Sequence, residues 1–142
     1  MRRLILALLL VASPAFAWTE PPRGTQLRAD LIDAIRPHIE WALGAPVEFV
    51  VWDLRVAGDV AFASLWAQRP GGGAIDLATT PAARRDEIDP YVGDGPTVQA
   101  LLQRSGRTWV AVHYAISPTD VWWAWDEYCP LWAPVIPETC AG

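Results

Sequence analysis

The stretch that decides the fold is SGRTWVAVHYAIS, Ser105 to Ser117. Thr108 to Ser117 is dense in β-branched and aromatic residues, the composition that suits a pleated, half-buried strand. A strand this strong needs a neighbour, and Ser105-Gly106 is a tight reversal immediately before it. Thr97 to Arg104, which alone fits a helix or a strand, is therefore read as the other arm of a hairpin. The same grammar repeats upstream. Val47 to Val56 (VEFVVWDLRV) is a strand, Ala57-Gly58-Asp59 a turn, and Val60 to Arg69 a second strand in which Phe62, Ser64, Trp66 and Gln68 alternate with Ala61, Ala63, Leu65 and Ala67.

The first hairpin is preceded by a helix. Thr25 caps it, and Leu27, Leu31, Ile35, Ile39 and Leu43 recur every four residues, with Ile32 and Ala42 alongside, so one stripe faces a core. Pro37 lies inside and should kink it, and Gly44 with Pro46 ends it. Residues 70–96 hold prolines, glycines, the pair Arg84-Arg85 and five acids. They read as a long loop with a short extended piece at Ile75 to Leu77, and so long a loop in a compact domain is functional or mobile. Beyond the second hairpin, Ser117-Pro118-Thr119-Asp120 has the form of a helix start, opening a short helix that ends before Pro130. The expected architecture is α+β: an N-terminal helix on an antiparallel sheet of about four strands, then a short C-terminal helix and a tail.

Leu54 to Gly73 (LRVAGDVAFASLWAQRPGGG) and Val98 to Trp123 (VQALLQRSGRTWVAVHYAISPTDVWW) resemble a group of small secreted bacterial proteins. More loosely, the pattern over residues 27–125 is similar to cystatin-like and nuclear-transport-factor-like α+β folds. The resemblance implies the fold and assigns no functional residue, because such folds host enzymes, binders and immunity proteins alike.

The N-terminus sets the compartment. Arg2 and Arg3 precede an apolar run from Leu4 to Ala12, Ser13-Pro14 breaks it, and Ala15-Phe16-Ala17 offers the small-x-small pattern of signal cleavage. Nine apolar residues fall well short of the roughly 20 a membrane-spanning helix needs. The expectation is a signal peptide at residues 1–17 and one domain at 18–142, periplasmic or extracellular, with no membrane anchor after cleavage. The formal charge of −5 becomes −7 once Arg2 and Arg3 are lost, a sign that disfavours nucleic acid and anionic lipid. Cys129 and Cys140 are the only cysteines, and in an oxidising compartment they read as a disulfide that ties the proline-rich tail.

Chemistry is sparse. All basic residues are arginine, and Gly71-Gly72-Gly73 lacks the Lys-Ser or Lys-Thr of a phosphate loop. Asp86, Glu87, Asp89 and Asp94 do not alternate as calcium ligands do, and neither cysteine has C-x-x-C spacing, so no metal or cofactor is expected. His113, the one histidine on a strand, is the candidate general base, with Asp120 or Asp126 as partner, although no nucleophile accompanies it; His38 is read as solvent-facing. Tryptophan is the anomaly, with nine copies. Trp52, Trp66 and Trp109 lie in strands and are assigned to the core. Trp122, Trp123, Trp125 and Trp132 crowd the C-terminal segment, where residues 122, 123 and 125 cannot share one helical stripe. They form either an aromatic platform for a sugar or a partner protein, or a helix sandwiched under the tail. The leading functional expectation is a non-catalytic interaction module for an envelope protein or glycan. The alternative is a small-molecule enzyme or ligand carrier, with a pocket between helix and sheet around His113.

Overall fold

A computed structural model describes residues 17–141; the expected leader up to Phe16 lies outside them. The helix forms as α1, Gln26–Leu43, with the Thr25 side chain accepting from the backbone N–H of Arg28 and the Gly44 N–H closing on the Glu40 carbonyl. Leu31, Ile35, Ile39 and Leu43 are buried along the expected stripe, while Leu27 at its start is exposed. The last turn has a cap that local sequence does not announce. The Arg69 guanidinium donates to the carbonyls of Leu43, Gly44 and Pro46, satisfying the oxygens a helix end leaves open.

Four strands follow: β1 (Glu48–Ala57), β2 (Val60–Gln68), β3 (Thr97–Ser105) and β4 (Thr108–Ile116). They pair antiparallel in chain order, β1-β2-β3-β4, so both hairpins stand and the long connection still joins neighbours. The α+β architecture is the one the sequence implies. On the face toward α1 the central strands present Ala61, Ala63, Ala67 and Ala100, all fully buried. Small side chains there bring the helix close, and Leu54, Leu65, Val98 and Leu102 fill the spaces between.

Residues 70–96 run as a long connection interrupted by two short helical pieces. Ile75 and Leu77 are buried, but the expected extended piece forms no strand: Asp76 is extended and a helical turn begins at Leu77–Thr79, followed by α2, Pro81–Arg84. The reason is capping: Asp76 accepts from the Ala78 N–H and Thr80 from the Ala83 N–H, two short-range bonds that favour turns over extension. Ala82 then seals the helix-side core. Farther along, Gly93 (φ 105°) packs so closely on Ser117 that a Cβ there would collide with the Ser117 carbonyl, so only glycine fits.

The C-terminal helix does not start at Ser117. That residue sits at φ 53°, outside helical space, and its N–H bonds the Thr97 carbonyl, completing the sheet instead. Helical structure arrives in single turns at Trp122–Ala124 and Asp126–Tyr128, then as α3 (Cys129–Trp132) and α4 (Pro137–Cys140). Trp125, in extended conformation (φ −73°, ψ 141°), breaks the series. The cysteines are joined, with Cα atoms 5.4 Å apart. This tail lies on the sheet face opposite α1 and encloses a second core of Val60, Phe62, Leu101, Trp122, Trp132, Val135 and Ile136. Arg55 fastens it from β1: the guanidinium bonds Glu138 at 2.6 Å and the Val135 carbonyl at 3.1 Å while pairing with Asp53. Burial works against its charge, yet the hydrogen bonds to Asp53 and Glu138 raise its pKa above the usual arginine value.

Candidate functional site

The four C-terminal tryptophans do not form one surface. Trp122 and Trp132 are buried in the second core, Trp123 is half-buried against Phe62 (ring centroids 4.9 Å apart), and Trp125 stands out at 53% exposure. Tyr128 is the hub that gathers three of them. Its ring meets Trp122 at 5.6 Å and Trp132 at 6.1 Å edge-on, and stacks with Trp125 at 6.4 Å. Burial, with Glu127 alongside, raises the Tyr128 phenol above its ordinary pKa. The Trp132 indole donates to the Leu102 carbonyl at 2.9 Å, whereas the indole N–H groups of Trp122 and Trp123 are buried without a partner among the described residues.

His113 belongs to the same cluster. Its exposed ring rests against Tyr128 at 5.0 Å and Trp132 at 5.4 Å, on the tail side of the sheet. A pocket between α1 and the sheet is thus on the other side from His113. Among the described residues no hydrogen bond or ion pair joins His113 to Asp120 or Asp126, and no group of three metal-ligating side chains is assembled. No described helix is long and apolar enough to cross a membrane.

Two of the strand tryptophans are placed differently from expectation. Trp109 is buried, but Trp66 is only half-buried and Trp52 is 55% exposed. Trp52 keeps the outward side it shares with Glu48 and Val50, and the register shifts beside it, where Val51 pairs Leu65 and Asp53 pairs Ser64. Its ring tilts against Trp66 at 5.3 Å, on the part of the tail-side face that the second core does not reach.

The concave surface lies elsewhere, beside β4. His38, expected in solvent, is half-buried and stacks on Tyr114 at 4.9 Å. With Trp41, Ile88 and Ile116 they line a hollow of ≈ 470 Å³ between α1 and the sheet edge. Trp41, 71% exposed, carries the Arg85 guanidinium over its ring at 4.9 Å. A second hollow of ≈ 330 Å³ lies at Asp30, Asp33 and Trp109, and a third of ≈ 300 Å³ at Asp89, Ser117 and Asp120. His38 and Trp41 had a legible signal, being three residues apart on a helix flank next to the buried stripe.

Comparison of the chain with protein-family models, with curated proteins and with solved structures finds no match.

Proposed function

We propose that the protein is exported and acts in the periplasm or extracellular space as a non-catalytic binding module for an envelope protein or glycan. The observation that carries this reading is that three indoles, Trp41, Trp52 and Trp125, are each more than half exposed on a domain whose sheet is packed on both faces. An exposed indole forgoes roughly 1.5–3 kcal/mol of burial, and aromatic anchors of this kind dominate binding surfaces. The Cys129–Cys140 bond and the leader pattern at residues 1–17 support the compartment.

Export is checked by mass spectrometry of the protein recovered from a secreting host, with Trp18 expected as the first residue; an intact Met1 in that pool rules it out. Binding is checked by acrylamide quenching of tryptophan fluorescence. A purified envelope fraction or a soluble glycan should protect the wild type. It should protect the Trp41→Ala, Trp52→Ala, Trp125→Ala variant far less, while the variant's thermal unfolding stays close to that of the wild type because none of the three fills a core. No protection of the wild type by any fraction or glycan would sink the reading.

A further inference from the structure

We propose that the free edge of β4 and the groove beside it take up an extended, basic peptide segment of a partner protein as an added strand. This rests on the domain being a binding module and names the chemistry of its partner.

The two edges of the sheet differ. At the β1 edge, Thr19 and Val56 exchange N–H···O bonds of 2.9 Å, so the chain partly covers its own strand. At the β4 edge no such cover exists among the described residues. Which backbone groups face outward follows from two bonds. The Ser117 N–H reaches the Thr97 carbonyl, and the Arg104 N–H turns away from β4 to the Asp59 carbonyl. Antiparallel pairs alternate between bonded and non-bonded positions, so Tyr114 and Ile116, opposite Ala100 and Val98, point their N–H and C=O groups away from β3. A bulge at Val112, between the pairs Ala111–Leu102 and His113–Leu101, separates these two residues from the earlier half of the edge. An added strand is therefore confined to the Tyr114–Ile116 end, where the ≈ 470 Å³ hollow lies alongside. Main-chain bonds would supply affinity and the His38, Trp41 and Tyr114 rings would receive side chains, which is the physics of strand addition at a sheet edge.

Charge selects the occupant. Asp33 is neutralised by Arg36 and Glu87 by Arg85. Asp89 and Asp120, which line the hollow at Ile116 and Ser117, have no ion-pair partner among the described residues, and no arginine lines the two hollows at this end of β4. A cationic segment meets complementary potential along the groove, whereas a second copy of this chain would bring the same carboxylates against each other.

The test uses the ¹⁵N-labelled protein and a blocked peptide of alternating valine and arginine. The Tyr114 and Ile116 amides should shift on titration, and their hydrogen exchange should slow on the order of tenfold at saturation. The same peptide with glutamate for arginine, or with alternate nitrogens methylated, should leave them unmoved. Asp89→Asn with Asp120→Asn, both at exposed positions, should weaken binding about fivefold while leaving the fold intact. Equal binding of the glutamate peptide overturns the proposal, as do shifts at Tyr114 and Ile116 that appear on concentrating the protein alone. If the arginine peptide leaves the β4 amides still while an envelope fraction or glycan protects the indoles, this assignment falls and the binding module stands. Failure of both measurements removes both.

Discussion

Trp132→Ala is expected to lower the free energy of unfolding by about 4 kcal/mol, within the range for deleting a large buried aromatic. Trp132 is the keystone of the second core: it is buried, touches His113 and Tyr128 edge-on, and spends its indole N–H on the Leu102 carbonyl. Alanine leaves a cavity among Val135, Ile136 and Leu101 and removes the Leu102 oxygen's side-chain donor. Urea denaturation followed by far-ultraviolet circular dichroism checks the value. Trp132→Phe should recover roughly half of the loss, since a ring refills most of the space without restoring the bond. A change below about 1 kcal/mol for Trp132→Ala would mean that the tail does not pack on the sheet as described.

The second large effect belongs to the disulfide. Replacing both Cys129 and Cys140 with alanine should cost about 3 kcal/mol, the chain-entropy value for a closed loop of this length, here a separation of 11 residues. The loss is directed. Between the cysteines lie Trp132, Val135 and Ile136, which cover Phe62 and Leu101, so loosening this loop should raise acrylamide access to the indoles and shift their emission to the red. Reduction of the wild type should reproduce the change. Unchanged emission and stability on losing both cysteines would show that Arg55 and the apolar contacts hold the tail without help.

Much of the architecture could be read from local pattern, because each signal was local. The four-residue spacing from Leu31 to Leu43 makes one buried stripe at 3.6 residues per turn, and the alternation from Val60 to Gln68 makes two faces. What escaped was decided at long range. Trp52 matches its neighbours in composition, yet it lies beside Trp66 on a part of the sheet that the second core does not reach. Arg55 and Arg69 look like surface arginines, but their partners lie 80 residues away at Val135 and 26 away at Leu43. The C-terminal turns differ from the sequence expectation because Ser117 has the chemistry of a helix cap while its N–H is claimed by Thr97 on another strand. The aromatic residues near the C-terminus stand out in the sequence by number alone. Which of them reach solvent depends on where the tail returns, and that is a property of the folded sheet.

The two cores also differ in when they can be built. Synthesis runs from the N-terminus, and everything that covers the helix side of the sheet lies before or within it, from Leu31 to Ala111. The opposite face waits for Trp122, Trp132, Val135 and Ile136, all of which follow the last strand. A nascent chain that has completed β4 thus holds a finished core on one side and bare Val60, Phe62 and Leu101 on the other, the kind of transient apolar surface that draws chaperones or aggregates. For a protein that leaves the ribosome in this order, the stretch from Trp122 to Ile136 is the one that turns a sticky half-structure into an inert one.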